Sequence, residues 1–478
     1  MRIKKLLFYS LITTFFGLSG CMTVGPDYHK KDMKMPDQWH KNIQKELQSN
    51  APQLSEWWKI FKDEDLTALI TQTQAQNLNL QIALERIQEA NILLGIRKGE
   101  LLPTAQVGTN WQTHKLKQEM LPIFNDETFS SLTVDGGASW EIDFWGRVRR
   151  KIESASATRQ GMIEDYRDAL VLLEAQTASS YFTLRTLQER LSFAEKNANT
   201  QKATLKLTKD RYDSGLSREL DIHQAELNLA ETQSMIPGLQ TEIVKQLNLL
   251  CVLAGQYPGE LDYLKDNFKA IPIATHALPE TLPADLLRQR PDLRSAERKL
   301  AAQHAQIGVA KGDLYPMFSL NGSFAWNITS TDQIFDGATQ YYGFGPTAKW
   351  NIFAGKRLLN AVKIQESLTR QAQINYKNTV LKAIQECENN FTSYINEKRH
   401  MELLTNAVKA AELSVSQVDT LYRSGLTDFQ NVLDMQRQLT RQQDNMAQSS
   451  GALSLKLIGI YKALGGGWQM TAQTPQNK

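Results

Sequence analysis

The hydrophobic positions of this chain change period several times, and each change marks a predicted element. Long stretches place apolar residues at steps of three and four, as on one face of an α-helix. Four shorter stretches alternate strictly between apolar and polar residues, as β-strands do. Two helical stretches without proline are very long, residues 147–212 and 356–422. At 1.5 Å per residue each predicts a helix of about 100 Å, longer than a globular core requires, so we expect an elongated protein.

The pattern occurs twice along the chain. Tyr212–Leu216 recurs 210 residues later as Tyr422–Leu426, and Leu102-Pro103 recurs 213 residues later as Tyr315-Pro316. Each half therefore predicts a helix, two strands, a long helix, a tight turn and a returning helix. The predicted organisation begins with a signal peptide (1–20) and a lipidated N-terminal segment (21–62). A first repeat (63–256), a linker (257–283), a second repeat (284–465) and a C-terminal tail (466–478) follow.

The predicted helices carry local signals of their own. The helical patterns that precede the strands span residues 67–101 and 284–314, and Pro237 predicts a kink or break in the first returning helix. Apolar residues at steps of three and four form a stripe along each long helix, the seam that would pack against another helix. The seam of the second long helix is apolar, whereas Glu174 and Thr177 interrupt the seam of the first. The first seam is therefore expected to pack more weakly.

Four strands are predicted at about 105–111, 132–142, 318–328 and 341–352. Each has the length of a transmembrane strand with an apolar face toward lipid and a polar face toward a lumen, although a soluble sheet with one buried face alternates in the same way. Four strands cannot close a barrel, and an open edge in lipid leaves backbone groups unpaired. Other copies of the chain must close it. Two copies give eight strands and three give twelve with room for a passage, and the strands alone do not choose between them.

The N-terminus predicts export and lipidation. Arg2, Lys4 and Lys5 precede an apolar stretch that ends at Leu18-Ser19-Gly20-Cys21. Small residues before a cysteine resemble the lipobox of bacterial lipoproteins, which implies cleavage before Cys21 and lipidation of its sulfur and new amine. The alternative is an ordinary signal peptide with a chance cysteine. Beyond Cys21, no apolar run reaches the ~18 residues of a transmembrane helix.

Composition excludes several function classes. Lys plus Arg number 54 and Asp plus Glu number 51. The chain therefore lacks the excess of basic residues that would indicate a nucleic-acid partner. The 7 histidines show no metal-ligand spacing, and no nucleophile or phosphate-loop motif is present, so we predict no enzyme, no metal and no cofactor. Gly465–Gly467 is interpreted as a helix stop. Cys251 and Cys387 are expected to be buried free thiols, with a disulfide left open.

Several short segments, in their order on a twofold repeat, resemble one family. They are Val24–Tyr28, Trp57-Trp58, Asp143–Arg147, Gln289–Leu293 and Tyr422–Asp434. Together they resemble the outer-membrane factors of bacterial efflux pumps, the TolC and OprM-like lipoproteins, over nearly the whole mature chain.

The resemblance implies an α+β fold and a homotrimer. A twelve-stranded transmembrane β-barrel, with four strands from each chain, would continue into a periplasmic tunnel of coiled-coil α-helices. It implies an outer-membrane location, docking to a periplasmic adaptor and an inner-membrane transporter, usually proton-driven, and passive conduction of drugs or other small molecules. Two alternatives remain open: the outer-membrane duct of a type I protein secretion system, and a structural envelope lipoprotein without a pore.

The resemblance also implies functional residues near the two tight turns. Asp434 matches an inward carboxylate that narrows the tunnel entrance, and Asn431 stands where the family has another. Asp221 matches Asn431 in the repeat and is expected near the mouth. The alternative for Asp434 is a solvated helix face. The turn residues match the tips that meet the adaptor, and they also suit simple helix termination: Gly215, Leu216, Gly425 and Leu426.

Overall fold

The computed structural model of the chain describes residues 23–30, 33, 35–40, 47–48, 54–116, 127–266, 268–272, 278–279, 283–328 and 339–468. The predicted lipidation site Cys21 lies outside these residues. The chain divides into two compact units, and each takes residues from both sequence repeats. The first unit contains Met1–Asp32, Arg86–Ile163 and Ser295–Lys377, and the second contains Met33–Glu85, Glu164–Arg294 and Asn378–Lys478.

Helices dominate the described residues. The longer ones are α1 Glu64–Gln76, α2 Leu78–Gly99, α3 Arg147–Asp213, α4 Glu219–Leu253, α5 Pro291–Gly312, α6 Arg357–Arg423 and α7 Phe429–Ala463. The predicted long helices are confirmed, since α3 and α6 begin and end within one residue of the expected bounds. No helix in the described part of the chain combines the length and apolar character that crossing a membrane needs.

Short elements connect these helices. Leu54–Phe61 and Pro283–Asp285 are 3-10 turns, and Tyr263–Asp266 and Leu286–Gln289 are single α-helical turns. A two-residue parallel pairing joins Leu47–Gln48 to Leu278–Pro279.

The prediction of one unbroken helix over 67–101 is wrong, because Asn77 separates α1 from α2. Its backbone is extended at ψ 125°, and its side-chain Oδ1 accepts a hydrogen bond from the Leu80 backbone N–H at 3.0 Å. Its Nδ2 donates to the Leu253 carbonyl at 2.9 Å. The amide thus satisfies groups that a helix end leaves open, and the break is anchored to α4. The pattern over 284–314 is likewise interrupted, at Arg290 before Pro291.

Of the kink or break predicted at Pro237, the break does not occur. Helix α4 continues from Glu219 to Leu253 with the proline inside it. Leu239, Ile243 and Leu247 stay buried beyond the proline, so packing holds the helix across the missing backbone donor.

The four predicted strands are confirmed as one antiparallel sheet in the order β1-β2-β3-β4. The strands are β1 Thr104–Leu116, β2 Glu127–Ile142, β3 Met317–Ile328 and β4 Thr339–Lys349. Thr104 lies opposite Ser139 in the first hairpin. Their repeat counterparts, Met317 and Lys349, lie 213 and 210 residues further along the chain and are also opposite each other. The two hairpins therefore share one register, residue for residue. Among the described residues, the outer edges of β1 and β4 have no strand partner.

The core of the second unit is built around the middle of α3 and α6. Trp57 stacks on Tyr461 with ring centroids 5.6 Å apart, and Phe61 contacts Phe182 at 4.5 Å. Cys251 and Cys387 are buried free thiols, as expected. The Cys387 thiol donates to the Ala463 carbonyl at 3.3 Å.

Candidate functional site at the helical hairpins

Both long helices end in the same glycine-dependent turn. Gly215 and Gly425 adopt left-handed backbone, with φ of +72° and +75°. The Leu216 N–H donates to the Arg211 carbonyl at 2.8 Å, and the Leu426 N–H donates to the Leu421 carbonyl at 2.8 Å. This six-to-one bond, with the glycine in the left-handed region, is the Schellman termination of a helix. The expectation that each long helix turns back through a tight hairpin is confirmed.

The two turns expose an apolar side chain each. Leu216 is 67% exposed and Leu426 is 75% exposed. The backbone bond that each residue makes to close the helix does not require a leucine side chain. The structure thus places all four residues predicted at the tips in two matching turns, with an unburied leucine on each.

A cation–π contact joins the two hairpins beside the turns. The Arg211 guanidinium stacks over the Tyr422 ring at 4.8 Å, and its Nη1 donates to the Tyr422 carbonyl at 3.0 Å. Tyr422 also packs on Phe429 within a small apolar cluster that includes Val432 and Leu433. The repeat counterpart Tyr212 is 43% exposed. The two hairpins are therefore similar in backbone and different in what covers them.

The three residues predicted at the tunnel mouth do not share one environment. Asp434 and Asn431 are exposed and three positions apart, hence on one face of α7. Asp434 accepts from Gln430 Nε2 at 3.0 Å, and Asn431 Nδ2 donates to Thr427 Oγ1 at 2.9 Å. Both polar groups stay close to their own helix.

Asp221 is buried at the start of α4 instead. Its Oδ2 accepts from the Ser217 hydroxyl at 2.9 Å and from the Arg218 N–H at 3.2 Å. The carboxylate therefore closes the first turn of the helix. The structure does not bring Asp221 onto the exposed face of Asp434.

A ladder of polar contacts between α3 and α7 was not predicted. Arg190 pairs with Asp444 at 2.6 Å, Asn197 Nδ2 donates to Gln443 Oε1 at 2.9 Å, and Gln436 Nε2 donates to Thr204 Oγ1 at 2.8 Å. The three α3 residues are seven positions apart, one residue from the apolar seam. This heptad spacing of polar residues was the available signal, and such contacts fix the register of two helices.

Polar contacts hold the segment that follows Cys21 against the first unit. Arg150 Nη2 donates to Asp27 Oδ1 at 2.7 Å and to the Gly25 carbonyl at 3.2 Å, and the Tyr28 hydroxyl donates to Glu297 Oε1 at 2.7 Å. The Arg150 guanidinium holds the pKa of Asp27 below its usual value. Burial raises the pKa of Tyr28, so the hydroxyl stays a donor. The segment is thus fixed by charge-assisted bonds rather than by apolar burial.

The comparisons with known proteins agree with this architecture. The family model described as outer membrane efflux protein matches residues 69–256 and 282–466. Nodulation protein T of Rhizobium leguminosarum bv. trifolii is 28% identical over 466 residues, covering 96% of this chain and 98% of that protein. The solvent efflux pump outer membrane protein SrpC of Pseudomonas putida is 26% identical over 479 residues, covering 98% and 100%.

A solved structure of the outer-membrane channel OprN superposes with a TM-score of 0.85 at 31% identity, covering 94% of this chain and 100% of that one. The matched family consists of outer-membrane channel proteins rather than enzymes. This chain belongs to the outer membrane efflux protein family.

Proposed function

We propose that this chain is the outer-membrane channel of a tripartite efflux pump and conducts drugs or other small molecules passively. Three copies form the channel, and its partners are a periplasmic adaptor protein and an inner-membrane transporter. The observation that carries the proposal is the family match across both repeats. The sheet agrees with it, since four strands with two open edges require further copies for closure.

The periplasmic mouth is assigned to the α7 face that carries Asp434 and Asn431. Both side chains are exposed in the single chain and, among the described residues, bond within their own hairpin. Three symmetric copies would bring three Asp434 carboxylates around one axis, where they attract cations and repel one another. Because Asn431 carries no charge, the expected gate is a single acidic ring.

The two turns are assigned to contact with the adaptor. Leu216 and Leu426 present apolar surface at the ends of both hairpins, where neither side chain is needed for the turn. A partner that buries the two leucines gains their desolvation energy. Gly215 and Gly425 keep the turns sharp enough to display them.

The lipid anchor is assigned to Cys21. The described segment begins two residues later, at Thr23, and the Val24 N–H donates to the Trp145 carbonyl at 2.9 Å. Trp145 lies between the end of β2 and the start of α3. This contact supports an anchor that reaches the membrane beside the strands.

The test is the conductance of the purified trimer in planar lipid bilayers, for the wild type and for Asp434→Ala. We expect the variant to conduct more, because the three carboxylates that bind cations and narrow the mouth are removed. Asp419→Ala is the matched control, since Asp419 lies close to the same turn but pairs with Arg423 at 2.7 Å. Its conductance should equal that of the wild type.

The outcomes separate the parts of the proposal. Equal conductance of the wild type and Asp434→Ala would contradict the aperture role. A protein that never conducts, in the wild type or in either variant, would contradict the channel itself.

A further inference from the structure

A cavity of about 270 Å³ lies within the second unit, between α3, α6 and α7. It adjoins the ladder of polar contacts described above, because Asn197, Gln436 and Gln443 belong to that ladder and also line the cavity. Its volume exceeds the ~150 Å³ of an engineered protein cavity that holds benzene. The space is therefore sufficient for a small organic molecule.

The cavity has a buried polar wall and an open mouth. The wall consists of four amide side chains, none of them more than 8% exposed: Asn197, Gln201, Gln436 and Gln443. Lys196 of α3 and Glu412 of α6 are exposed and stand at the mouth. A molecule that passes these two charged residues meets amides rather than a purely apolar surface.

Gln201 is the lining residue whose buried hydrogen-bonding capacity the fold leaves incomplete. Its side chain is 3% exposed, and within the described part of the chain its buried Oε1 has no hydrogen-bond partner. A buried carbonyl oxygen without a donor destabilises a protein, because the bonds that it made to water in the unfolded chain are lost. A ligand with an N–H group would replace them.

The sequence repeat shows that helix packing does not require these amides. The positions 210 residues after Asn197 and Gln201 are Ala407 and Ala411. Ala411 is buried, so a small apolar residue fills the equivalent place on α6. The amides around the cavity are therefore specific to α3, and the backbone shared by the two repeats does not explain them.

The amide N–H groups of the wall already serve the fold. Asn197 Nδ2 donates to Gln443 Oε1 at 2.9 Å, and Gln436 Nε2 donates to Thr204 Oγ1 at 2.8 Å. Gln443 Nε2 in turn lies 3.4 Å from Glu412 Oε1. Each of these three amides thus uses a donor within the protein.

Oxygen acceptors remain along the cavity. The hydroxyls of Thr200 and Thr440 donate to carbonyls one turn earlier on their own helices, at 3.1 and 3.0 Å, so their lone pairs can still accept. Glu412 adds a carboxylate at the mouth. Together with Gln201 Oε1, these oxygens favour a ligand that donates hydrogen bonds and carries a positive charge.

We propose that this cavity binds a small organic cation with a primary ammonium group. The three N–H donors of the ammonium are bound by Gln201 Oε1 and the neighbouring acceptors, and its carbon chain packs on the apolar lining residues Val415 and Leu439. Lys196 at the mouth repels a second positive charge, which favours a monocation. All lining residues belong to one chain, so the inference goes beyond the proposed channel and does not depend on it.

The test is isothermal titration calorimetry of the purified full-length protein in detergent with n-butylammonium chloride, at constant ionic strength. We expect one saturable site per chain. Tetramethylammonium has the same charge without any N–H group, and 1-butanol has the same carbon chain without the charge. Both should bind at least about tenfold more weakly, because each loses the charge-assisted hydrogen bonds.

Variants locate the site. Gln201→Leu removes the unpaired carbonyl at similar size, and Glu412→Gln removes the charge, so each should weaken butylammonium binding by about tenfold or more. Lys196→Met should strengthen it several-fold, because a like charge is removed from the mouth. Gln233→Leu is the matched control at an exposed position of α4 outside the cavity, and should bind as the wild type does.

Thermal melts separate a binding role from a structural one. Without butylammonium, Gln201→Leu should melt no lower than the wild type, because leucine leaves no carbonyl unpaired. Saturating butylammonium should raise the melting temperature of the wild type and leave that of the variant unchanged. A variant that melts well below the wild type without the cation would show that the fold itself bonds Gln201 Oε1, which would overturn the site.

The remaining outcomes are equally distinct. Butylammonium that gives no saturable binding, or that binds Gln201→Leu as tightly as the wild type, would overturn the inference and leave the cavity to water. Tetramethylammonium that binds as tightly as butylammonium would also overturn it. The channel is tested by conductance, so either proposal can fail while the other stands.

Discussion

The middle of α3 and the same stretch of α6 occupy equivalent places in the two repeats and are buried by different chemistry. Glu174, Thr177 and Arg185 are at most 1% exposed in α3. Their counterparts 210 residues later are Ile384, Cys387 and Ile395, of which only Cys387 is fully buried. The seam of α3 is the more deeply buried of the two, and the weaker packing expected from Glu174 and Thr177 stays a prediction.

The reason lies in what covers each helix. The start of α1 packs on α3, where the Tyr181 hydroxyl donates to Asp63 at 2.7 Å and Arg185 Nε donates to the Tyr181 hydroxyl at 3.0 Å. Arg185 also reaches Asp65 at 3.1 Å. At the equivalent place on α6, Phe391 contacts Trp39 with ring centroids 5.7 Å apart. A repeated helix can thus keep its backbone while one copy is covered by a polar network and the other by aromatic packing.

The largest expected effect that tests this comparison is on the buried arginine. Arg185→Ala should lower the free energy of unfolding by about 2–4 kcal/mol, because the Tyr181 hydroxyl and Gln188 Oε1 lose a buried partner, whereas Asp65 keeps Lys269 at 2.6 Å. Ile395→Ala, at the equivalent half-buried position of α6, should cost about 1–2 kcal/mol. Denaturant melts of the two variants in detergent measure both. Equal losses would show that the polar network contributes nothing beyond packing.

A smaller effect that depends on pH is expected at Glu174. Burial raises the pKa of this carboxyl to about 8, although Gln74 Nε2 donates to it at 2.7 Å. The unfolded chain releases the proton near the ordinary value of 4.5. The folded state therefore binds more protons than the unfolded state between these values, and stability falls as pH rises from about 4.5 to about 8.

Glu174→Gln keeps the group neutral and should remove that loss. We expect a melting temperature above that of the wild type at pH 9, by about 2–4 °C for each kcal/mol gained, and little difference at pH 5. Glu85→Gln, at an exposed carboxyl of α2, is the control and should follow the wild type. A Glu174→Gln variant that melts with the wild type at every pH would show that the carboxyl is charged without penalty.

The smallest effect concerns the reactivity of Cys387, the counterpart of Thr177. Burial raises the pKa of its thiol to about 12, so almost no thiolate exists at neutral pH. In a Cys21→Ala, Cys251→Ala background, maleimide should label Cys387 only after denaturation, as mass spectrometry can show. Labelling of the native protein on the timescale of an exposed thiol would mean that the α6 seam opens where the α3 seam is closed.

Sequence reasoning reached those parts of the molecule that are set by long periodic patterns. The bounds of α3 and α6 and the four strands follow from periods that no single contact could override. The family, and the α+β fold that it implies, followed from short motifs in their order on the repeat. The helix boundaries near Asn77 and Pro237 could not be predicted because tertiary contacts determine them. The Leu253 carbonyl stabilises the break at Asn77, and buried apolar residues keep α4 continuous through Pro237. Asp221 matched Asn431 by position, yet only the structure shows its carboxylate bound within the turn. The heptad spacing of Arg190, Asn197 and Thr204 is present in the sequence, but only the structure shows their partners on α7.

That ladder restricts how the hairpins can move. Two apolar helices slide past each other easily, because one leucine packs nearly as well as the next. Here a slide of one turn, about 5.4 Å, would separate all three contacts at once. A slide of seven residues would place Arg190 opposite Arg437 or Gly451 instead of Asp444. Helices α3 and α7 are therefore expected to move together as one rigid pair. Any widening of the tip must come from bending or rotating this helix pair as a whole.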